Sequence, residues 1–152
     1  MLRALARRPG AAALRHSNAL VRRCGGSASS LDANTYHRVA DVTLEGIQDV
    51  YDDENDADPS LQMEVEFSDG VLNVHVGSHG TFVLNKQTPN MQLWLSSPVS
   101  GPLRYDFCLE SSAWLNSRDK HDLLPLLTSD FETLVGKRLD FGSVVELIEE
   151  AK

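Results

Sequence analysis

The sequence contains few cysteines, and they are not placed for metal binding. Cys24 and Cys108 are the only cysteines among 152 residues, and Cys24 lies in a basic amino-terminal stretch. The rest of the chain has a single cysteine, so it can form neither an internal disulfide nor a cysteine-based metal site, because each needs more than one thiolate. A metal ion bound to this chain therefore needs other ligands.

The sequence also lacks long apolar runs and the common enzyme motifs. No stretch approaches the roughly 20 apolar residues of a membrane span. There is no glycine-rich phosphate loop, no Cys-x-x-Cys, no His-Glu-x-x-His and no nucleophile elbow. Membrane insertion, nucleotide-dependent reactions, zinc catalysis and nucleophilic catalysis are therefore not supported.

The formal net charge of −8 conceals two opposite parts. Residues 1–30 contain six arginines and no acidic residue. Removing these six from 14 basic residues leaves eight against 22 acids, so the rest of the chain carries −14. Such a body repels the phosphates of nucleic acids and favours cations or basic protein partners.

The first 30 residues have the composition of an organelle transit peptide. Arginines alternate with alanine and leucine, serine is present, and the apolar runs are too interrupted for a secretory signal. We expect a disordered leader over residues 1–30, cleaved between residues 23 and 31, and a single domain over residues 31–152. The composition favours the mitochondrial matrix over the plastid. The alternative is a disordered basic tail.

A first helix is predicted over residues 32–53. Asp32 suits the N-cap, and Leu31 and Tyr36 stand at the two positions of a hydrophobic staple. Apolar residues recur at helical spacing on one side, and acidic residues step by four along the other. The acids continue into a loop before Pro59 and onto the first strand. We name eight of them the acidic ridge: Asp41, Glu45, Asp49, Asp52, Asp53, Glu54, Glu64 and Glu66.

The acidic ridge predicts a cation-binding surface. Like charges four residues apart destabilise a helix by about 0.2–0.5 kcal/mol per pair, so stability alone would favour mixed charges. Carboxylates suit hard cations such as Fe²⁺, Mn²⁺, Mg²⁺ and Ca²⁺. An open row of carboxylates is not a closed cage, so binding should be weak, multiple and poorly selective. The alternative is a solvated helix face.

The remaining pattern predicts the fold. Alternating apolar and polar residues indicate short antiparallel strands over residues 61–115. A second helix is expected over residues 122–135, with Gly136 ending it. A capping-box pattern that begins at Ser143 predicts a short third helix. The order predicts an α+β two-layer sandwich, with two roughly parallel helices packed on one face of an antiparallel sheet.

An aromatic ring is predicted on the wet face of this sheet. If Leu84, Leu93 and Leu95 face the core, alternation turns the residues between them toward solvent. Amides, an aromatic ring and a guanidinium are common in protein-recognition surfaces. The alternative is a polar sheet face with one stray tryptophan. We name these residues the open-face patch: Asn85, Gln87, Gln92, Trp94 and Arg104.

The chain resembles the frataxin family in an ordered set of motifs, and with the flanking helices the resemblance extends over residues 31–141. The motifs are Gly80-Thr81, then Asn85-Lys86-Gln87-Thr88-Pro89-Asn90, then Trp94-Leu95-Ser96-Ser97-Pro98-x-Ser100-Gly101-Pro102-x-Arg104-Tyr105-Asp106. The resemblance implies a mitochondrial iron-binding protein of iron–sulfur cluster assembly. Frataxins bind a complex of cysteine desulfurase and scaffold protein and promote cluster synthesis. Iron donation to haem synthesis, through ferrochelatase, and a weak ferroxidase activity are also attributed to the family.

The resemblance also implies roles for the two surfaces. The acidic ridge corresponds to the family's surface for weakly bound iron, Fe²⁺ or Fe³⁺, and the open-face patch corresponds to its partner-binding sheet. A monomer is expected, with iron-dependent oligomers. The sequence departs from the family at Phe82 and Phe107, where tyrosine and tryptophan are usual, and at Leu124, where histidine is common.

Three functions are compatible with these observations. The first is a non-catalytic iron-binding regulator of cluster assembly, which uses both the acidic ridge and the open-face patch. The second is a ferroxidase or iron-storage protein, an oxidoreductase that would need a di-iron centre, for which Glu-x-x-His on facing helices is the expected sign. The third is an acidic interaction module without a metal. We favour the first, because the Glu-x-x-His pattern is missing.

Overall fold

The computed structural model describes residues 30–152. In chain order this part forms α1 (Ala33–Ala57), β1 (Met63–Ser68), β2 (Val71–Val76), β3 (Gly80–Gln87), β4 (Gln92–Ser97), β5 (Gly101–Cys108), β6 (Ala113–Asn116), α2 (Leu123–Val135) and α3 (Gly142–Ala151). Short 3₁₀ turns at Pro59–Leu61 and Thr88–Asn90 join α1 to β1 and β3 to β4. In the described part, no helix is both long enough and apolar enough to cross a bilayer.

The six strands form one antiparallel meander in the order β1-β2-β3-β4-β5-β6. β2 and β4 alternate between buried and accessible residues, because successive side chains point to opposite faces. The helices cover one face, which confirms the predicted α+β two-layer sandwich. The buried residues of that face are Met63, Leu72, Val74, Val76, Phe82, Leu84, Leu93, Leu95, Tyr105, Phe107 and Trp114.

Trp114 links the sheet to α1 in the centre of the core. Its ring packs against Phe107 at 5.0 Å and edge-on against Tyr36 at 6.2 Å. Its indole N–H donates to Thr43 Oγ1 over 2.9 Å, and the Thr43 hydroxyl donates to the carbonyl of Val39. The buried polar atoms of this cluster are therefore hydrogen-bonded, as burial requires.

The predicted caps of the first two helices are confirmed. The Asp32 carboxylate accepts from the amide of Thr35 at 3.0 Å, and the Asp122 carboxylate accepts from the amide of Leu124 at 3.2 Å. Gly136 ends α2 in the left-handed conformation, with φ of 74°.

The capping box predicted at Ser143 is wrong. Helix α3 begins at Gly142, and the N-cap residue Phe141 makes no side-chain capping bond. Phe141 is buried in the core, and the Asp140 carboxylate accepts from the amide of Gly142 at 2.9 Å. Helix α3 therefore starts before the predicted cap, where Asp140 binds the Gly142 amide and Phe141 packs into the core.

Helix α1 is also longer than predicted, because it continues to Ala57. The amide of Asp58 still donates to the carbonyl of Glu54. Asp58 precedes Pro59, and a residue in that position is driven out of the helical conformation. The acids of residues 54–56, expected in a loop, are therefore part of the helix.

Candidate functional site

The acidic ridge is exposed on α1 in its middle and near its carboxyl end. Glu45, Asp49, Asp52 and Asp53 are exposed, and Asp56 extends the same charged surface. Because α1 is continuous to Ala57, these carboxylates keep regular helical spacing.

Two members of the acidic ridge already have cationic partners. Asp41 accepts from Lys86 Nζ at 2.6 Å, and the Lys86 side chain is only 13% exposed. Glu54 accepts from Lys137 Nζ at 3.1 Å, and Asp58 binds the same ammonium at 2.5 Å. Hydrogen bonding to Lys137 lowers the pKa of Asp58 to about 2. These carboxylates therefore contribute to tertiary structure, and they are less available to a cation than Glu45, Asp49, Asp52 and Asp53.

Asp52 is the ridge residue with a raised pKa. Partial burial is the main cause, and the negative charges of Asp49, Asp56 and Asp53 add to it. The ionised carboxylate is therefore disfavoured in the folded protein. A bound cation would relieve this repulsion, because it replaces neighbouring negative charge with an opposite charge.

Glu64 and Glu66 lie apart from the helical carboxylates. They alternate with core residues on β1, so both point to the accessible face of the sheet, where they oppose His75 and Asn73 of β2. Within residues 30–152, no three or more His, Cys, Asp or Glu side chains are arranged to hold one metal ion. The acidic ridge is therefore an open surface divided between two layers of the fold.

The open-face patch is brought together as the sequence predicted. Asn85 of β3 pairs with Trp94 of β4, and Trp94 pairs with Arg104 of β5. Gln87 pairs with Gln92 one step along β3 and β4. The five side chains therefore occupy adjacent positions on three neighbouring strands.

The Trp94 ring is held in a defined orientation. Its indole N–H donates to Gln92 Oε1 at 2.9 Å, and the Gln92 amide nitrogen donates to Asp106 Oδ1 at 2.7 Å. The Arg104 guanidinium carbon lies 4.5 Å from the centre of the ring, in a cation–π contact. A partner would meet a tryptophan that is already ordered, which lowers the entropic cost of binding.

Two anchors position this patch from the buried side. The Tyr36 hydroxyl on α1 donates to the carbonyl of Gln92 at 3.0 Å. At the other end of β4, the Ser97 hydroxyl donates to the buried Asp130 carboxylate of α2 at 2.6 Å, and it accepts from the amides of Val99 and Ser100. Both helices therefore hold the strand that carries Trp94.

A depression of about 580 Å³ lies beside Trp94 on the same face. Its lining includes Arg118 and Asn116, which the sequence analysis missed as candidate residues. They lie at the end of β6 and in the turn that follows it, where strand alternation no longer predicts direction. The signal that could have identified them was the pair of basic residues, Arg118 and Lys120, directly after a strand.

The comparison with known families decides the identity. The profile of the Frataxin-like domain matches residues 29–137. The chain belongs to the frataxin family. Frataxin homologues include the mitochondrial protein of Schizosaccharomyces pombe, which is 40% identical over 106 residues, 70% of this chain and 67% of that protein. The mitochondrial frataxin of Caenorhabditis elegans is 46% identical over 112 residues, 72% of this chain and 82% of that protein.

Solved frataxin structures share the fold. A yeast frataxin is 36% identical with a TM-score of 0.61, and the match covers 70% of this chain and 85% of that one. A trimeric frataxin from Saccharomyces cerevisiae, complexed with ferrous iron, is 32% identical with a TM-score of 0.57, covering 72% and 91%.

Two facts follow from the frataxin relatives. They are named as mitochondrial proteins, which confirms the mitochondrial localisation predicted from the leader. The chain spans about half to two thirds of the length of several of the curated relatives it matches.

Proposed function

We propose that this protein is an iron-binding regulator of iron–sulfur cluster assembly that docks on a complex of cysteine desulfurase and scaffold protein. The observation that carries the proposal is the pre-ordered Trp94, held between Gln92 and Arg104 on a sheet face that the helices leave uncovered. Ordered aromatic residues beside an arginine are frequent centres of protein interfaces. Packing of the core does not explain a tryptophan ring on the open face of the sheet.

The iron-binding part of the proposal rests on α1. A relative in the same family was solved with ferrous iron. Here the exposed carboxylates Glu45, Asp49, Asp52 and Asp53 share a helix and lack a basic partner among the described residues. Oxygen ligands on an open surface suit weak binding of Fe²⁺. Residues 1–30, which lie almost wholly outside the described part, act in this proposal as a leader removed on import.

The test is cluster synthesis by a purified desulfurase–scaffold complex. We expect wild type to stimulate the reaction, Trp94→Ala to abolish stimulation while binding iron normally, and Val145→Ala to behave as wild type. Val145 is the matched control, because it is a 46% exposed apolar residue on α3, away from the sheet. Unchanged thermal unfolding would show that Trp94→Ala leaves the fold intact.

The iron site is tested with Glu45→Gln, Asp49→Asn and Asp53→Asn together. Asp41 is left unchanged, because its removal would leave the mostly buried Lys86 ammonium without its ion-pair partner. The charge-matched control is Glu110→Gln, Glu146→Gln and Glu150→Gln, three exposed acids elsewhere. We expect weaker Fe²⁺ binding only in the ridge variant.

Two outcomes would overturn the proposal. Normal stimulation by Trp94→Ala would remove the docking role of the open-face patch. If wild type fails to stimulate cluster synthesis but consumes Fe²⁺ with O₂, the protein is a ferroxidase and the regulator proposal is wrong.

A further inference from the structure

Five of the eight basic residues of the folded body are engaged within the molecule. Of the eight that follow residue 30, Lys86, Lys137, Arg138 and Lys152 form ion pairs, and Arg38 donates to the carbonyl of Ala151 at the end of α3. Among the described residues, Arg104, Arg118 and Lys120 have no carboxylate within ion-pair distance. Arg38 has none either, but its guanidinium donates to Ala151 and Thr35. In a body that carries −14, three unpaired cations in one region are a distinctive feature.

The backbone holds Arg118 beside Arg104. The amide of Ser117 donates to the carbonyl of Arg104 at 2.9 Å, and the Ser117 hydroxyl donates to the same oxygen at 3.2 Å. The amide of Arg118 donates to Oδ1 of Asn116, a residue that is 3% exposed, at 2.9 Å. Lys120 continues this turn, and its amide donates to the carbonyl of Asn116.

The two guanidiniums border a partly apolar floor. The depression of about 580 Å³ is lined on this face by Val83, Pro102 and Trp94 as well as by Arg104 and Arg118. Both arginines are exposed, so they can meet a partner without rearrangement of the core. A surface depression with Val83, Pro102 and Trp94 on its floor and cations at its border suits an apolar side chain flanked by carboxylates.

We propose that Arg104, Arg118 and Lys120 form a basic corner that binds an acidic segment of the protein partner docked on Trp94. The inference rests on the proposed function and adds the chemistry of the bound segment. Charge complementarity carries it: carboxylates are attracted to three neighbouring cations that no ion pair neutralises, whereas the acidic surface elsewhere repels them. Asp119 lies between two of these cations, but its carboxylate contacts His121 Nδ1 at 2.5 Å. A long polyanion such as nucleic acid would extend into that negative surface, so a short acidic protein segment fits better.

The test measures binding of the full-length protein to the desulfurase–scaffold complex at several salt concentrations. The variant is Arg118→Gln, and the matched control is Arg138→Gln, which removes the same charge from a 73% exposed arginine on the helical side. We expect the dissociation constant to rise about threefold to tenfold for Arg118→Gln at low salt, with a smaller loss at high salt because the charges are screened. Arg118→Lys should restore most of the affinity, and Arg138→Gln should bind as wild type does.

A second measurement identifies the bound group. The basic corner of wild type already has the Lys120 amine. Arg118→Lys adds a second amine, so a carbodiimide should join residue 118 to a partner carboxylate in a crosslink that wild type, which has only the Lys120 crosslink, lacks. Arg138→Lys should gain no such crosslink. Mass spectrometry then locates the acidic segment on the partner.

The outcomes separate this inference from the proposed function. If Trp94→Ala loses binding while Arg118→Gln binds as wild type does at every salt concentration, the open-face patch stands and the basic corner is wrong. If Arg118→Lys gains no carboxylate crosslink, the proposal that an acidic partner segment lies at the basic corner is also wrong. If wild type does not bind the complex, the docking role and the basic corner fall together.

Discussion

At the scale of single residues, Asp52 shows that part of the acidic ridge opposes folding. Its pKa is raised in the folded protein by burial and by Asp49, Asp56 and Asp53. A carboxyl group with a folded pKa above its unfolded value favours the folded state in its protonated form. The free energy of unfolding therefore falls as the pH rises from the unfolded pKa through the folded pKa, and it stays lower above that range.

We therefore expect Asp52→Asn to raise the free energy of unfolding at pH 7 by about 0.5 kcal/mol, since it removes two like-charge pairs at helical spacing. The gain should shrink as the pH falls toward 3, because wild-type Asp52 is then increasingly protonated. Urea unfolding at both pH values is the measurement. Glu110→Gln, an exposed acid in the turn before β6, should show no gain; a loss of stability in Asp52→Asn at pH 7 would contradict the assignment of repulsion.

The sequence predicted the directions of Trp94 and Arg104 because strand alternation fixes the face of every residue once the buried leucines are known. It did not predict that Asp41 pairs with Lys86, since that contact joins residues 45 positions apart through the tertiary fold. It missed Arg118 for the same reason, because the orientation of a turn depends on the strand against which it packs.

At the scale of elements, the close approach of α1 and α3 depends on a glycine. A Cβ atom at Gly46 would lie 3.2 Å from Val144 Cγ2 and 3.2 Å from Leu147 Cδ1. Val144 is fully buried, whereas Leu147 is partly exposed and can move toward solvent.

Gly46→Val should therefore destabilise the protein by about 1–3 kcal/mol, the usual range for overpacking a core. Gly46→Ala should be less harmful, because the higher helix propensity of alanine offsets part of the clash. Thermal and urea unfolding of both variants is the measurement, with Ala57→Val at the exposed end of α1 as the control for a β-branched residue. Equal stability of Gly46→Val and wild type would show that α3 can shift away from α1.

The sequence predicted the order of the elements correctly. It also predicted two helix caps, because the Asp32 and Asp122 carboxylates accept hydrogen bonds from amides only two or three residues away. Element ends determined by distant contacts were missed. Ser143 satisfied a local pattern, but α3 begins before it, at Gly142, next to the buried Phe141. The end of α1 was predicted too early because the density of acids resembled a loop, whereas Lys137 and the backbone bond at Asp58 support the last helical turn.

At the scale of the whole molecule, the net negative charge makes stability sensitive to ions. A body with −14 repels itself when compact, and added salt screens that repulsion. Divalent cations should do more than screen, because they can bind adjacent carboxylates of α1.

We expect the melting temperature of wild type to rise more with MgCl₂ than with NaCl at the same ionic strength. The variant with Glu45→Gln, Asp49→Asn and Asp53→Asn should melt about 2–6 °C higher than wild type at low salt, because three like-charge pairs at a spacing of four residues are removed. It should also lose most of the specific magnesium effect, as differential scanning fluorimetry would show. A variant that keeps the full magnesium response would place the cation elsewhere on the surface.

The side chain of Asn55 covers part of the outer edge of the sheet. β1 is an edge strand, and the Asn55 amide donates to the carbonyl of Met63 at 3.1 Å and accepts from its N–H at 3.0 Å, as a neighbouring strand would. Exposed edges invite strand addition by other chains. Hydrolysis of this amide to a carboxylate would remove the donor and repel the Met63 carbonyl. Conversion of this asparagine to aspartate would therefore leave the Met63 carbonyl without its side-chain donor and weaken the cover of the sheet edge at that residue.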